Sequence, residues 1–473
     1  MKKDIYRMKG YIILFLQFFS LFGHAQILEW ADFRQQILEY HPLARQANLQ
    51  LDLAEFALLR AKGGFDPKVY SDMNTKNFSG KTYFQYTEAG VKLPTWAGLE
   101  LKGAYNMASG IYLNEESTLP AGGQATLGFN WSLGQGLLMD ERRAALKQAK
   151  IGLQSYEAER NLLLNDLMLE AAKAYWTWVS AGNQLNVFES TLTQARIRHQ
   201  ALRESFLQGD KPAIDTLETF IQVQNRLMDV NFAGIEFQNA TLVLRNFIWT
   251  ADQQPSAPGN ALNYPALSTG SALKPEIMPE QEVMALQTQT NHPALRLYQA
   301  KLHSLDVERR LKAEKKKPVF DLNYNILGAG WAFFPSSNTA GTDVLVRDIK
   351  WGLNFAYPII NRKARGDWQF TKVKMDQVAL EIRQKSQELG NKVRQYANEI
   401  ENLRNQIALY RDITRNYEVL LEAEIEKFNQ GESSVFLINT REQRWLDAQL
   451  KYLKLVAEYR KSEAGLLWAT GKY

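Results

Sequence analysis

Between Ile359 and Phe428 apolar side chains return every seven residues: Met375, Ile382, Leu389, Tyr396, Leu403, Tyr410 and Tyr417. A second series, Val393, Ile400, Ile407, Thr414, Leu421 and Phe428, interleaves with the first. This 4-3 spacing keeps an apolar seam on one side of a helix and predicts coiled-coil packing. The stretch Leu137 to Phe206 is its counterpart; both are free of Pro and hold two Gly each. About 70 residues at ~1.5 Å rise make a rod of roughly 100 Å, longer than a compact domain needs.

Upstream of each rod the period changes from helical to two. Ala125, Leu127, Phe129, Trp131 and Leu133 alternate with Thr126, Gly128, Asn130 and Ser132. Phe320, Leu322, Tyr324 and Ile326 alternate with Asp321, Asn323 and Asn325. Ile349, Trp351, Leu353, Phe355 and Tyr357 alternate with Lys350, Gly352, Asn354 and Ala356. Leu99, Leu101, Tyr105 and Met107 follow the same rule. Each predicts a strand with one apolar and one polar face.

The order of elements occurs twice. Asn291-His292-Pro293 matches Tyr40-His41-Pro42, and each Pro stands at the favoured first position of a helix. At an offset of 222 residues Leu127 meets Ile349, Phe129 meets Trp351, Arg143 meets Arg365, Phe206 meets Phe428, and Gly209 meets Gly431, without a gap. The two His-Pro sites are offset by 251, so 29 extra residues fall in the first strand region and leave room for a further hairpin. The boundaries read as follows. Residues 26–250 form repeat one, with strands about 67–134, a long helix about 138–206 and a return helix about 213–248. A linker with five Pro covers 251–280. Repeat two covers 281–473, with a helix about 293–316, strands about 319–357, a long helix about 361–428 and a return helix about 435–469.

Composition narrows the class. The basic residues Lys2, Lys3, Arg7 and Lys9, the apolar run Tyr11 to Phe22 and Gly23-His24-Ala25 make residues 1–25 a secretory signal. Of the net charge of +5, the signal carries +3, so the remainder gives no electrostatic case for nucleic acid. With no Cys there is neither a disulfide framework nor a thiolate metal site. In an exported protein, alternating strands rich in Trp, Tyr and Phe are how a membrane β-barrel is written; a soluble β-sandwich is the other solution. Two clear strands per repeat give about four per chain. A closed barrel needs at least ~8, so several chains must share one.

The chain at this point resembles the outer membrane efflux proteins, the TolC type of outer membrane factor. The resemblance rests on the duplicated element order, on the Leu137-Leu138 and Pro358-Ile359-Ile360 lead-ins to the long helices, and on two turns. These are Phe206-Leu-Gln-Gly-Asp-Lys-Pro-Ala-Ile-Asp-Thr-Leu and Phe428-Asn-Gln-Gly-Glu-Ser-Ser-Val-Phe-Leu-Ile-Asn. It implies an α+β membrane protein: a homotrimer whose 12-stranded transmembrane β-barrel continues into a long periplasmic α-helical coiled-coil barrel. It also implies a periplasmic adaptor (membrane fusion protein), an inner-membrane pump and outer-membrane lipid as partners. Phe206, Gly209, Phe428 and Gly431 would mark the adaptor-docking turns. Phe129, Trp131, Phe320, Tyr324, Trp351, Leu353 and Phe355 would face lipid.

The same resemblance directs attention to a periplasmic gate. Asp215 stands six residues after Gly209, where the family often carries Asp; a first-turn Asp is also favoured by the helix dipole. The second turn departs from the acidic pattern. Ser433 stands where Arg can occur and Leu437 where Asp can occur, so an apolar constriction by Leu437 is one alternative and a place in the helix seam is the other. His41 and His292 read as structural, His303 as a surface or packing residue, and His199 as packing or tunnel-lining. The basic run Lys315 to Lys317 after Glu314 reads as a solvated helix end. There is no His-Glu-x-x-His, Walker A, nucleophile elbow or dinucleotide fingerprint, so no catalytic, cofactor or metal site is expected. The expected function is a passive outer-membrane export channel of a tripartite efflux or type I secretion system. The alternative is a secreted or periplasmic coiled-coil structural or adaptor protein.

Overall fold

The computed structural model describes residues 27–255, 263–267, 292–332 and 348–473. The signal sequence and much of the Pro-rich linker lie outside them. The elements run α1 (Trp30–Tyr40), α2 (Pro42–Lys62), β1 (Lys68–Phe78), β2 (Lys81–Pro94), β3 (Leu99–Ser109), β4 (Gln124–Ser132), α3 (Glu141–Leu207) and α4 (Ala213–Arg245). After the linker come α5 (Pro293–Glu314), β5 (Val319–Leu327), β6 (Ile349–Ala356), α6 (Arg362–Asn429) and α7 (Val435–Thr470). These form two compact units. A helical unit comprises Met1–Asn48, Asn161–His292 and Ser386–Tyr473, and a sheet unit comprises Leu49–Arg160 and Pro293–Lys385.

In the helical unit the 4-3 seam of α6 is buried as its spacing predicts. Val393, Ile400, Leu403 and Ile407 form one core with Tyr452, Leu453, Val456, Tyr459 and Leu466 of α7, and Leu389 is buried too. Packing is close enough that Gly465 is obligatory: a Cβ there would lie 2.3 Å from the Tyr396 ring. A second core gathers Phe33 and Ile37 of α1, Met168, Tyr175 and Trp178 of α3, and Leu244 of α4. Part of the linker packs here. Tyr264 meets Trp178 edge-on at 5.8 Å and lies against Gly182, where a Cβ would clash. Asn183 accepts from the Leu267 N–H at 2.9 Å and donates to the Pro265 carbonyl at 3.0 Å. The described linker residues 263–267 are docked on the helical unit.

His41 is buried at the start of α2. Its Nδ1 accepts the Leu43 N–H at 3.1 Å, and its ring stacks on Phe247 at 5.9 Å. Burial pushes the imidazole below its ordinary value, against an opposing backbone hydrogen bond to Asn246. The unfolded chain takes up this proton near pH ~6.5 while the folded chain resists it. Stability from this site is therefore complete above that pH and is lost as pH falls through it toward the lowered folded value. Melting in detergent should drop more between pH 7.5 and 5.5 for the native chain than for His41→Asn, whose amide oxygen can still cap Leu43.

In the sheet unit all six strands form one antiparallel sheet in sequence order. Among the described residues the strands number six, where about four were expected. β1 and β2 are the additional hairpin, paired from Lys68↔Lys92 to Phe78↔Lys81. β4 and β5 join the two repeats, from Thr126↔Leu327 to Ser132↔Asp321. From β3 to β6 the sheet keeps one chemistry on each face. The register puts Leu101, Phe129, Tyr324 and Trp351 in one row across β3 to β6. Lys102, Gly128, Asn325 and Lys350 form the neighbouring row on the other face. Beneath the sheet, Met139, Ala144 and Val307 pack α3 against α5. Lys315 pairs with Glu141 at 2.6 Å, Lys317 pairs with Glu314 at 2.6 Å and Lys316 lies over Trp368 at 3.7 Å. The basic run is thus engaged by neighbours within the unit.

Candidate functional site: an apolar sheet face and a latched helical turn

The seven expected lipid-facing residues fall on one face of the sheet. Phe129 stacks on Tyr324 at 5.6 Å, and Phe320 meets Phe355 edge-on at 6.4 Å. Trp131 is opposite Leu322, which is opposite Leu353. The face is open: Trp351 is 64% and Phe355 65% exposed. Exposed apolar groups also flank the strands, with Trp96 in the β2–β3 turn at 80% and Ile359 before α6 at 94%. A contiguous apolar surface of this kind on a sheet marks a membrane or partner contact. The opposite face carries Asp321, Asn323, Asn354 and Lys350, with Ser132 donating to Asp321 at 2.7 Å.

The two turns that end α3 and α6 are the same structure twice. Gly209 has φ +83° and Gly431 φ +82°, a region that L side chains avoid. The Gly209 N–H donates to the Phe206 carbonyl at 3.0 Å and the Asp210 N–H to Ser205 at 3.0 Å. The Gly431 N–H donates to Phe428 at 3.0 Å and the Glu432 N–H to Lys427 at 2.9 Å. Each is a Schellman cap, which satisfies the last carbonyls of the helix. Lys211 lies over the Phe428 ring at 4.8 Å, joining one turn to the other.

Past the turns, α7 is held to α3 and α4 by a polar latch that pattern reading did not find. Glu442 is buried, and takes both guanidinium nitrogens of Arg198, at 2.8 and 3.2 Å. Arg198 also donates to Asn439 at 3.2 Å, and Asn439 donates to Glu218 of α4 at 3.1 Å. Arg226, buried on α4, donates to Gln443 of α7 and to Asp229 at 2.7 Å. A second link joins α6 to α7. Ser433 donates to Glu424 at 2.5 Å, and Arg441 lies 3.5 Å from the same carboxylate. The Ser433 hydrogen bond, then Arg441, holds the Glu424 carboxyl below the usual carboxylate range.

Signals for the latch exist in the sequence. The buried stripe of α4 is Thr219, Arg226, Ala233, Ala240, a strict heptad with one Arg in it. On α7, Glu442 stands midway between buried Ile438 and Leu446. A charge on an apolar stripe requires a partner.

The predicted gate residues separate. Val435 and Ile438 turn into the helical core, whereas Leu437 is 41% exposed in the first turn of α7. Its backbone N–H is capped by the Ser434 hydroxyl at 3.4 Å. Leu437 therefore does not lie in the seam of its own chain. Asp215 is half-buried in the first turn of α4, and Phe206 is 40% exposed. His199 bonds Thr219 at 3.0 Å and packs on Phe220, so it ties α3 to α4. Among the described residues no group of His, Asp and Glu is arranged to hold a metal ion, and no helix is long and apolar enough to cross a membrane.

Residues 287–472 match the family model described as outer membrane efflux protein. No curated protein matches the chain. Among solved structures, the CmeC outer membrane channel of Campylobacter jejuni is 14% identical at a TM-score of 0.62, over 93% of this chain and 85% of that one. The outer membrane protein VceC of Vibrio cholerae is 11% identical at 0.64, over 93% and 95%. The open-state MtrE outer membrane channel of Neisseria gonorrhoeae is 14% identical at 0.63, over 93% and 88%. The resemblance read from the turns and the duplicated order is thereby borne out, by the family match over the second repeat and by fold over nearly the whole chain.

Proposed function

We propose that the chain, whose residues 287–472 match the outer membrane efflux protein model and whose fold is that of outer membrane channels, is the passive outer-membrane conduit of a tripartite efflux or type I secretion assembly. The observation that carries this reading is the sheet: one face apolar and exposed, the other polar, and both edges unpaired among the described residues. An open edge has no water to pair with in lipid. Six strands are too few to close alone, since the smallest barrels have ~8. Copies of the chain must therefore complete the barrel, and a homotrimer is the arrangement we propose. A secreted coiled-coil protein without a channel would have no use for the exposed Trp, Phe and Leu side chains of that face.

The long helices bring the two capped turns together, and there the proposed periplasmic mouth lies. In this reading the adaptor docks on the turns around Phe206, Gly209, Phe428 and Gly431, and the pump supplies the energy. The latch from Glu218 through Asn439 and Arg198 to Glu442 holds α7 in the resting position. Leu437 projects from the start of that same helix, and three copies would form an apolar ring that blocks ions by dewetting. An adaptor opens the mouth by binding the displaced α7 more tightly than the latched one.

The experiment is conductance in planar bilayers. Leu437→Ser should raise resting conductance and leave trimer stability within ~0.5 kcal/mol, as for an exposed substitution. A loss of stability at unchanged conductance would return Leu437 to a packing role and leave Asp215 as the next candidate.

A further inference from the structure

We propose that β1 and β2 are barrel strands in full, so that each chain supplies six strands and the β1 edge of one copy pairs with the β6 edge of the next. This rests on the trimer reading only for the total: three copies of six strands make eighteen, against the twelve that the resemblance implies.

Three observations support it. First, the hairpin continues both faces of the sheet. Val69 is opposite Val91, which is opposite Gly103. Leu93 is opposite Leu101, which is opposite Phe129. Val69, at 85% exposure, and Met73, at 60%, lie on this apolar face. Second, the polar face is stitched across all three strands. Glu88 of β2 accepts from Tyr70 of β1 at 2.5 Å and pairs with Lys102 of β3 at 2.6 Å. Tyr86 of β2 donates to Asn106 of β3 at 3.0 Å. A flap folded away from the barrel would have no such ties.

Third, the parity fits. An even number of antiparallel strands sends β1 and β6 in opposite directions. Head-to-tail copies then pair these edges antiparallel, and no edge is left in lipid. Strands ~4.8 Å apart and tilted ~40° give a backbone radius of about 12 Å for twelve strands and about 18 Å for eighteen. The lumen would be about 1.5-fold wider than the resemblance implies.

The native chain has no Cys, so paired cysteines report neighbours without background. Val69→Cys, Ser71→Cys and Met73→Cys would each be combined with Trp351→Cys, Leu353→Cys or Phe355→Cys. The comparison set joins the same three β6 positions to Leu101→Cys or Tyr105→Cys of β3. Only variants that form native oligomers in detergent are oxidised and run on denaturing gels. The expected result is dimer and trimer ladders from β1–β6 pairs and none from β3–β6 pairs. Ladders from β3–β6 pairs alone would put the hairpin outside the barrel, and absence of any ladder would overturn the edge pairing. Strand count by electron cryomicroscopy of the unsubstituted protein in nanodiscs gives an independent answer, six or four per chain. Native mass spectrometry reports copy number separately. A mass other than three copies, with β1–β6 ladders retained, would sink the trimer while supporting six strands per chain.

Discussion

Trp351→Asp should abolish most native assembly while Asn354→Ala leaves it nearly intact. The two residues are three apart on β6, and the register sends them to opposite faces. Trp351 is opposite Tyr324 in the apolar row that continues to Phe129. Asn354 is opposite Asp321 on the polar face. On a lipid-exposed barrel face Lys or Arg costs about 2–4 kcal/mol near the midplane, and a carboxylate somewhat less, at roughly 2 kcal/mol, falling further toward an interface. In the proposed trimer the cost is incurred three times per assembly. Asn354→Ala removes one amide from a hydrated surface and should cost under ~0.5 kcal/mol. The fraction of heat-modifiable oligomer on unboiled gels measures both. Equal losses would argue against the face assignment.

Glu442→Ala should be among the costliest substitutions of a polar residue in the helical unit. It leaves the Arg198 guanidinium, itself only 15% exposed, with Asn439 as its remaining partner. Truncating one side of a buried pair typically costs 3–5 kcal/mol, because the other charge stays desolvated. Here ~3 kcal/mol is expected, since Asn439 and residual solvent relieve part of it. If the latch restrains α7, resting conductance should rise in the same variant. Removing both charges, Arg198→Ala with Glu442→Ala, should cost less than the sum of the single changes, and the difference is the coupling energy. Glu442→Gln keeps the hydrogen bonds and should fall between native and Glu442→Ala. Strict additivity in the cycle would dissolve the latch into two unrelated contacts.

What could be read beforehand follows from how one-sided each element is. α6 has one buried stripe, so its 4-3 pattern was legible, and Leu389, Val393, Ile400, Leu403 and Ile407 are buried as spaced. The middle of α3 is packed on several sides, with Leu167, Met168, Leu169, Ala171, Ala172 and Tyr175 all buried. An all-round apolar stretch blurs the period. β4, β5 and β6 declared themselves through alternation of large apolar residues with Asn, Asp and Gly. β1 did not, because Tyr70 and Phe78 stand on its polar side while Ser71, Thr75 and Asn77 dilute its apolar one. The 29-residue excess located the hairpin without giving its pairing. The matched turns were visible as paired Phe and Gly, and the Schellman geometry explains why those residues recur. The latch was missed because an isolated charge in a helix ordinarily reads as solvent-facing; only its place on a buried stripe distinguishes it.

The β4–β5 seam has a consequence for how the protein is made. Ser132 and Asp321, bonded across it, are 189 residues apart in the chain. β1 to β4 can zip as local hairpins as soon as they emerge, but β5 and β6 follow only after α3, α4, the linker and α5 have been synthesised. Contacts of such sequence separation form late, since loop closure precedes any gain from pairing. During that interval four strands present an apolar face and an unpaired edge to water, the condition under which chains aggregate. On the proposed function this interval falls in the periplasm, where a holding chaperone that covers β1 to β4 until β5 arrives would protect the chain.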